Sequence, residues 1–135
     1  GRRIKRAISL DMDTVKICNQ ESLNKFKKMS CMQNLVKEDP ALFDVKNEMT
    51  NIGMFRRYVD QYLRHHQKIH KEGFTFLVRQ LAPTELGIPI ELYVFTNDTS
   101  WVSYEWIQGD IFDHLLGVLP QFELKAFQTM IEKLR

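Results

Sequence analysis

The chain has 135 residues, enough for one domain that buries about two-thirds of its unfolded surface. Its balance, 44% hydrophobic and 27% charged, is that of a globular domain, and a net charge of +2 is too small to argue for a nucleic-acid partner. No apolar run reaches the ~18–20 residues of a membrane span, and the charged start is not that of a signal peptide.

In chain order, the first element is a strand. Ile4, Ile8, Leu10 and Met12 share one parity with Arg6, and Lys5, Ala7, Ser9 and Asp11 take the other, which predicts a strand over 4–12 with one buried face. Arg6 breaks the apolar parity near the strand's start, where it can reach solvent. Gly1 opens the chain inside this pattern, so a longer parent protein is expected. Asn19 is placed to cap a short helix, QESLNKFKKM, with Leu23, Phe26 and Met29 as its apolar stripe. The following stretch to Thr50 is weakly patterned and interrupted by Pro40; a short helix, a loop and a turn are expected there. From Asn51, taken as the cap, Ile52, Phe55, Val59 and Leu63 return at helical spacing. A basic linker, HHQKIHKEG, ends at Gly73.

Phe74–Leu81 and Ile90–Thr96 read as two strands joined by a Pro- and Gly-containing loop, hence an antiparallel hairpin. Asp98 or Thr99 is expected to cap the longest helix, carrying Tyr104, Ile107, Ile111, Leu115 and Val118 and closed by Pro120. ELKAFQ reads as a final strand and residues 129–135 as a tail. The sum is a single α+β domain over 1–135: a split βαβ (ferredoxin-like) two-layer sandwich with an antiparallel-rich sheet and a helical insertion at about 30–72.

The chemistry is thin. His65, His66 and His70 lack neighbouring carboxylates or thiols at ligand spacing, so surface histidines are expected and no metal. Cys18 and Cys31 form no CxxC or zinc pattern; inert thiols in a reducing compartment are expected, with a single disulfide left open. Asp110 and His114, four apart with Asp113 between them, form a candidate pH-sensitive pair on one helix face. Trp101 and Trp106 fall on different faces of the same helix, which makes them candidates for subunit contact. No phosphate loop and no nucleophile elbow occurs. Assembly rather than catalysis is expected, with no cofactor.

Four ordered blocks covering roughly residues 1–128 carry a resemblance: GRRIKRAISLDMDTVKIC, TNIGMFRRYVDQYLRHHQKIH, FLVRQLAPTELGIPIELYVFTN and YEWIQGDIFDHLLGVLPQFELKAFQ. Together they resemble the C-terminal cytoplasmic region of the miniconductance branch of the small-conductance mechanosensitive channel family. The resemblance implies a bacterial inner-membrane homo-oligomer, usually heptameric, held in the membrane by helices that precede this region. It implies that residues 1–6 leave a preceding β domain or linker, and that the remainder is a cytoplasmic α/β domain forming part of a vestibule with side openings. The pore would open under membrane tension during hypoosmotic shock. Arg2, Arg3, Lys5 and Arg6 are the candidate vestibule rim, where basic charge would bias which solutes enter. Two other readings stand beside this one. One is a stand-alone ferredoxin-like regulatory module that binds a small ligand or partner protein. The other is a small phosphohydrolase using Arg2 or Arg3 with Asn97, for which no phosphate loop is present.

Overall fold

The computed structural model describes residues 1–129. Strand β1 (Arg3–Leu10) pairs antiparallel with β3 (Ile88–Phe95), which pairs antiparallel with β2 (Leu77–Gln80), so the sheet runs β1-β3-β2. The alternation read from the sequence sets its two faces. Ile4, Ile8 and Leu10 of β1 and Ile88, Ile90, Leu92 and Val94 of β3 all point into one buried cluster. The opposite parity faces away from the helices.

Strand β3 begins two residues earlier than expected, at Ile88, and three other departures from the expected strands each have a local reason. β1 stops at Leu10 rather than Met12, because Asp11 accepts a hydrogen bond from the Asp13 amide (2.9 Å) and starts a one-turn 3-10 helix at Met12–Thr14. Met12 is consequently exposed. β2 begins at Leu77 rather than Phe74. Gly73 adopts φ +78°, and Phe74 leaves the ladder to stack between His70 (4.3 Å) and Phe95 (5.1 Å). The expected final strand ELKAFQ is reduced to one antiparallel bridge, Leu10 with Ala126. The Asp11 amide donates to the Lys125 carbonyl (2.8 Å) and the Phe127 amide to Ser9 (2.9 Å). The turn at Asp11 removes the partner that a longer ladder would need. The tail expected at 129–135 lies, apart from Thr129, outside the described residues.

Helix α1 (Gln20–Lys27) is capped by Asn19 as the sequence predicts, its side chain accepting from the Ser22 amide at 2.8 Å. The weakly patterned stretch folds as short turns around α2 (Gln33–Glu38), with 3-10 turns at Ser30–Met32, Pro40–Phe43 and Val45–Asn47. They drive Met32, Leu42 and Phe43 into the core. Helix α3 (Asn51–Arg64) buries Ile52, Phe55, Val59 and Leu63, as their spacing requires. Its cap is Thr50, whose hydroxyl accepts from the Gly53 amide (3.1 Å), and not Asn51.

Asn51 instead joins three segments. Its side-chain amide donates to the carbonyls of Thr14 and Phe122, both at 2.9 Å. Its side-chain oxygen accepts from the amides of Lys16 (2.9 Å) and Ile52 (3.0 Å). At 1% exposure, every polar position of this side chain is matched.

Helix α4 (Trp101–Val118) starts after Ser100, with the Asp98 carboxylate accepting from the Ser100 amide (2.9 Å) rather than capping directly. Pro120 lies in the 3-10 turn Leu119–Phe122 that follows. This turn delivers Phe122 to the centre of the core, with ring centroids 4.5 Å from Phe26, 5.5 Å from Phe55 and 5.3 Å from Tyr58. α3 and α4 thus cover one face of an antiparallel sheet, an α+β arrangement, and leave the other face bare.

Candidate functional site

The basic start of the chain does not form one patch. Strand alternation sends Arg3 and Lys5 to the bare face of the sheet, and Arg2 and Arg6 toward α4. The Arg2 guanidinium lies over Trp101 (5.2 Å) and Tyr104 (5.9 Å), and its Nε donates to the Thr99 carbonyl (2.7 Å). The Arg6 guanidinium stacks on Phe112 at 4.3 Å, which explains a cation at an otherwise apolar position of β1. Lys5 stands 5.1 Å and Arg3 6.0 Å from the Tyr93 ring centre.

That bare face carries residues that the reading for chemistry passed over. Leu77, Tyr93 and Lys5 are cross-strand neighbours in one row, and Arg3 lies opposite Phe95 in the next. Phe74 closes over Phe95, and Phe74 and Leu77 are exposed. Arg79 is bound to Glu91 (2.8 Å), leaving Arg3 and Lys5 as surplus positive charge. The signal was present in the period of two: Tyr93 and Phe95 share the parity opposite to the core residues of β3.

Trp101 and Trp106 are both exposed in the chain, at 58% and 70%. Trp101 packs on Tyr104 (5.8 Å) and beneath Arg2. Trp106 sits in an outward stripe with Val102, Gly109, Asp113 and Leu116, at helical spacing on the side of α4 away from the sheet. A side chain built at Gly109 would meet nothing within 4 Å, so the surface beside Trp106 is open. α4 contains Glu105, Asp110 and Asp113 and no Lys or Arg.

Asp110 and His114 are not an ion pair; none joins them among the described residues. His114 turns instead toward α3, where its Nε2 lies 2.6 Å from the Tyr58 hydroxyl and its ring stacks on Tyr62 at 4.3 Å. Tyr62 also meets His66 edge-on at 5.9 Å. Burial pushes the His114 imidazole below its ordinary value, and its Nε2 shares a hydrogen bond with the Tyr58 hydroxyl. Burial, reinforced by Cys31 and Tyr62, raises the Tyr58 hydroxyl to about 12. Burial and then the Asp110 charge raise Tyr62. His66 is lowered by burial and by Lys71 and Lys68. Tyr58 and Tyr62 follow the spacing of α3, but their pairing with His114 depends on how α3 lies against α4.

The remaining candidates do not converge. His65 contacts the Gln61 carbonyl (2.7 Å) and His70 stacks on Phe74. Among the described residues, no group of three His, Cys, Asp or Glu side chains could hold a metal ion. Cys18 and Cys31 are free thiols, and burial raises both above the ordinary thiol range. Asn97 donates its side-chain amide to the Gln67 carbonyl (2.7 Å), and Arg2 is turned to Thr99. A depression of about 670 Å³ beside α1 is edged by Asn19, Glu21, Ser22, Lys25, Lys28 and Glu123. Glu123 is held there by Lys16 (2.9 Å). Among the described residues no helix is long and apolar enough to cross a membrane. The chain matches no family model.

Proposed function

We propose that this chain is a cytoplasmic vestibule domain of a mechanosensitive ion channel, at the inner face of a bacterial inner membrane. It acts by packing against identical subunits, in a heptamer, below a pore formed by preceding membrane helices. The pore opens under tension during hypoosmotic shock, and the vestibule controls which solutes reach it. The sequence resemblance in four ordered blocks supports the choice of family.

The observation that carries the reading is α4. A helix with an apolar residue on nearly every side belongs inside a larger body, yet Trp106 and Val102 are 70% and 64% exposed on this chain. Neighbouring subunits would cover them. The finer architecture also accords with a split βαβ sandwich. The antiparallel bridge between Leu10 and Ala126 adds a fourth segment beside β1, giving the order 126-segment, β1, β3, β2.

The test is electrophysiological. Patches from cells expressing the full-length parent protein should show tension-gated conductance, and the same cells should survive osmotic downshock better than cells lacking it. A parent sequence with no membrane helices upstream of Gly1, or patches silent up to membrane rupture, would end this reading.

A further inference from the structure

We propose that copies of this chain associate head to tail, the outer face of α4 of one copy docking on the bare sheet face of the next. This deepens the assembly reading above and rests on it. Two faces of opposite character lie on opposite sides of the sandwich. On one side is the α4 stripe of Val102, Trp106, Gly109, Asp113 and Leu116, bordered by Glu105 and Asp110. On the other is the sheet face of Leu77, Tyr93 and Phe95 with Arg3 and Lys5.

Both faces are apolar at the centre, and each has a surplus of a single charge at its edge. Among the described residues, none of Glu105, Asp110, Asp113, Arg3 and Lys5 has an ion-pair partner within the chain. Each face therefore lacks what the other supplies. Among the described residues, Trp106 is the most exposed large hydrophobic side chain, and the space beside it at Gly109 is open. The facing surface offers two aromatic rings, Tyr93 and Phe95, with centroids 6.1 Å apart. An aromatic anchor flanked by complementary charges is the usual composition of an interface centre and its rim.

The geometry fixes the symmetry. Pairing α4 with α4 would set carboxylates against carboxylates, and pairing sheet with sheet would set Arg3 and Lys5 against themselves. A two-fold contact through either face is thus disfavoured. An interface between unlike faces is heterologous, and such interfaces close into rings when the rotation between copies allows it.

The experiment is a charge exchange, read by sedimentation equilibrium on the 135-residue chain from micromolar to near-millimolar concentration. Reversing the sheet face (Arg3→Glu with Lys5→Glu) or the helix face (Asp110→Lys with Asp113→Lys) should weaken association at least about 100-fold, from the cost of like charges in contact. Mixing the two variants should restore assembly, because each then supplies what the other lacks. Carrying all four changes on one chain should restore it as well. All positions are exposed, and circular dichroism melts of each variant verify that the fold is retained. A parent chain that stays monomeric throughout, variants that associate like the parent, or a four-fold variant that stays monomeric would each overturn the proposal. The channel reading fails separately: tension-gated conductance in a full-length protein whose charge exchanges have no effect would sink the docking alone.

Discussion

Replacing Asn51 tests the central claim about how this fold is held together. In Asn51→Ala, the carbonyls of Thr14 and Phe122 and the amide of Lys16 all lose their partner. The bond to Phe122 is fully buried and the other two are partly so. An unsatisfied buried group costs about 1–3 kcal/mol, and partly buried ones recover some of that from water. The sum is about 3–5 kcal/mol, set against a total stability of about 5–15 kcal/mol for a domain. Urea unfolding is the assay: with a slope of about 2 kcal/mol per molar, the midpoint should fall by about 2 M at unchanged slope. The control is Thr50→Ala, which removes the helix cap and should cost about 1 kcal/mol. Were Asn51 merely the cap, its loss would cost about that much and Thr50→Ala almost nothing. An Asn51→Ala cost below about 1 kcal/mol would therefore refute the three-segment role. Asn51→Asp sharpens the test. A carboxylate facing two carbonyls has its pKa raised on folding, so the penalty grows as pH rises above the ordinary aspartate value of about 3.9 and is relieved as pH falls toward it.

Other outcomes follow from the same structure. His114 and His66 both have imidazoles lowered on folding, so stability is full above the unfolded value of about 6.5 and declines as pH falls from there toward the lowered folded values; urea titrations between pH 7 and 5 should show this, and His114→Gln should flatten it. Gly87→Ala should cost about 1–3 kcal/mol or more, since φ is +94° and the new methyl would approach the Leu10 carbonyl oxygen to 2.4 Å; a thermal melt unchanged from the parent would contradict that. Phe122→Ala should cost about 3–5 kcal/mol, as the ring is completely buried among Phe26, Phe55 and Tyr58. Trp106→Glu should leave chemical stability within about 0.5 kcal/mol, because the side chain is mostly exposed, while lowering the sedimentation mass of the assembled chain.

Periodic features were legible from the residues, and features set by packing between segments were not. The core faces of β1, β3 and α3 follow directly from parity or helical spacing, and Asn19 is a cap because its chemistry is local. Asn51 and Thr50 are both good cap residues. The choice between them was made by two carbonyls far away in sequence, at Thr14 and Phe122. Arg6 looked like an interruption of β1 because its partner, the Phe112 ring, comes from α4. The four basic residues at the start looked like one cluster in a linear reading, yet alternation divides them between two sides of the sheet. His114 was paired with Asp110 by helical spacing alone, when the Tyr58 and Tyr62 rings of a neighbouring helix claim it. ELKAFQ has the composition of a strand, but the turn at Asp11 shortens the edge it would need.

The shared edge of β1 has a consequence for the chain's behaviour outside any assembly. The Thr96 amide donates to Arg2, so in an antiparallel ladder the main-chain groups of Lys5 and Ala7 point away from β3. Among the described residues, pairing on that outer side is confined to Ser9, Leu10 and Asp11, while the Arg3 carbonyl accepts from the Tyr104 hydroxyl (2.6 Å). Arg3, Lys5 and Arg6 flank the stretch between. Positive side chains beside such a row of amides and carbonyls discourage the addition of a foreign strand. Arg3 and Lys5, which shape the sheet face, thus act together with Arg6 as gatekeepers against fibrillar growth, and neutralising all three should lower solubility.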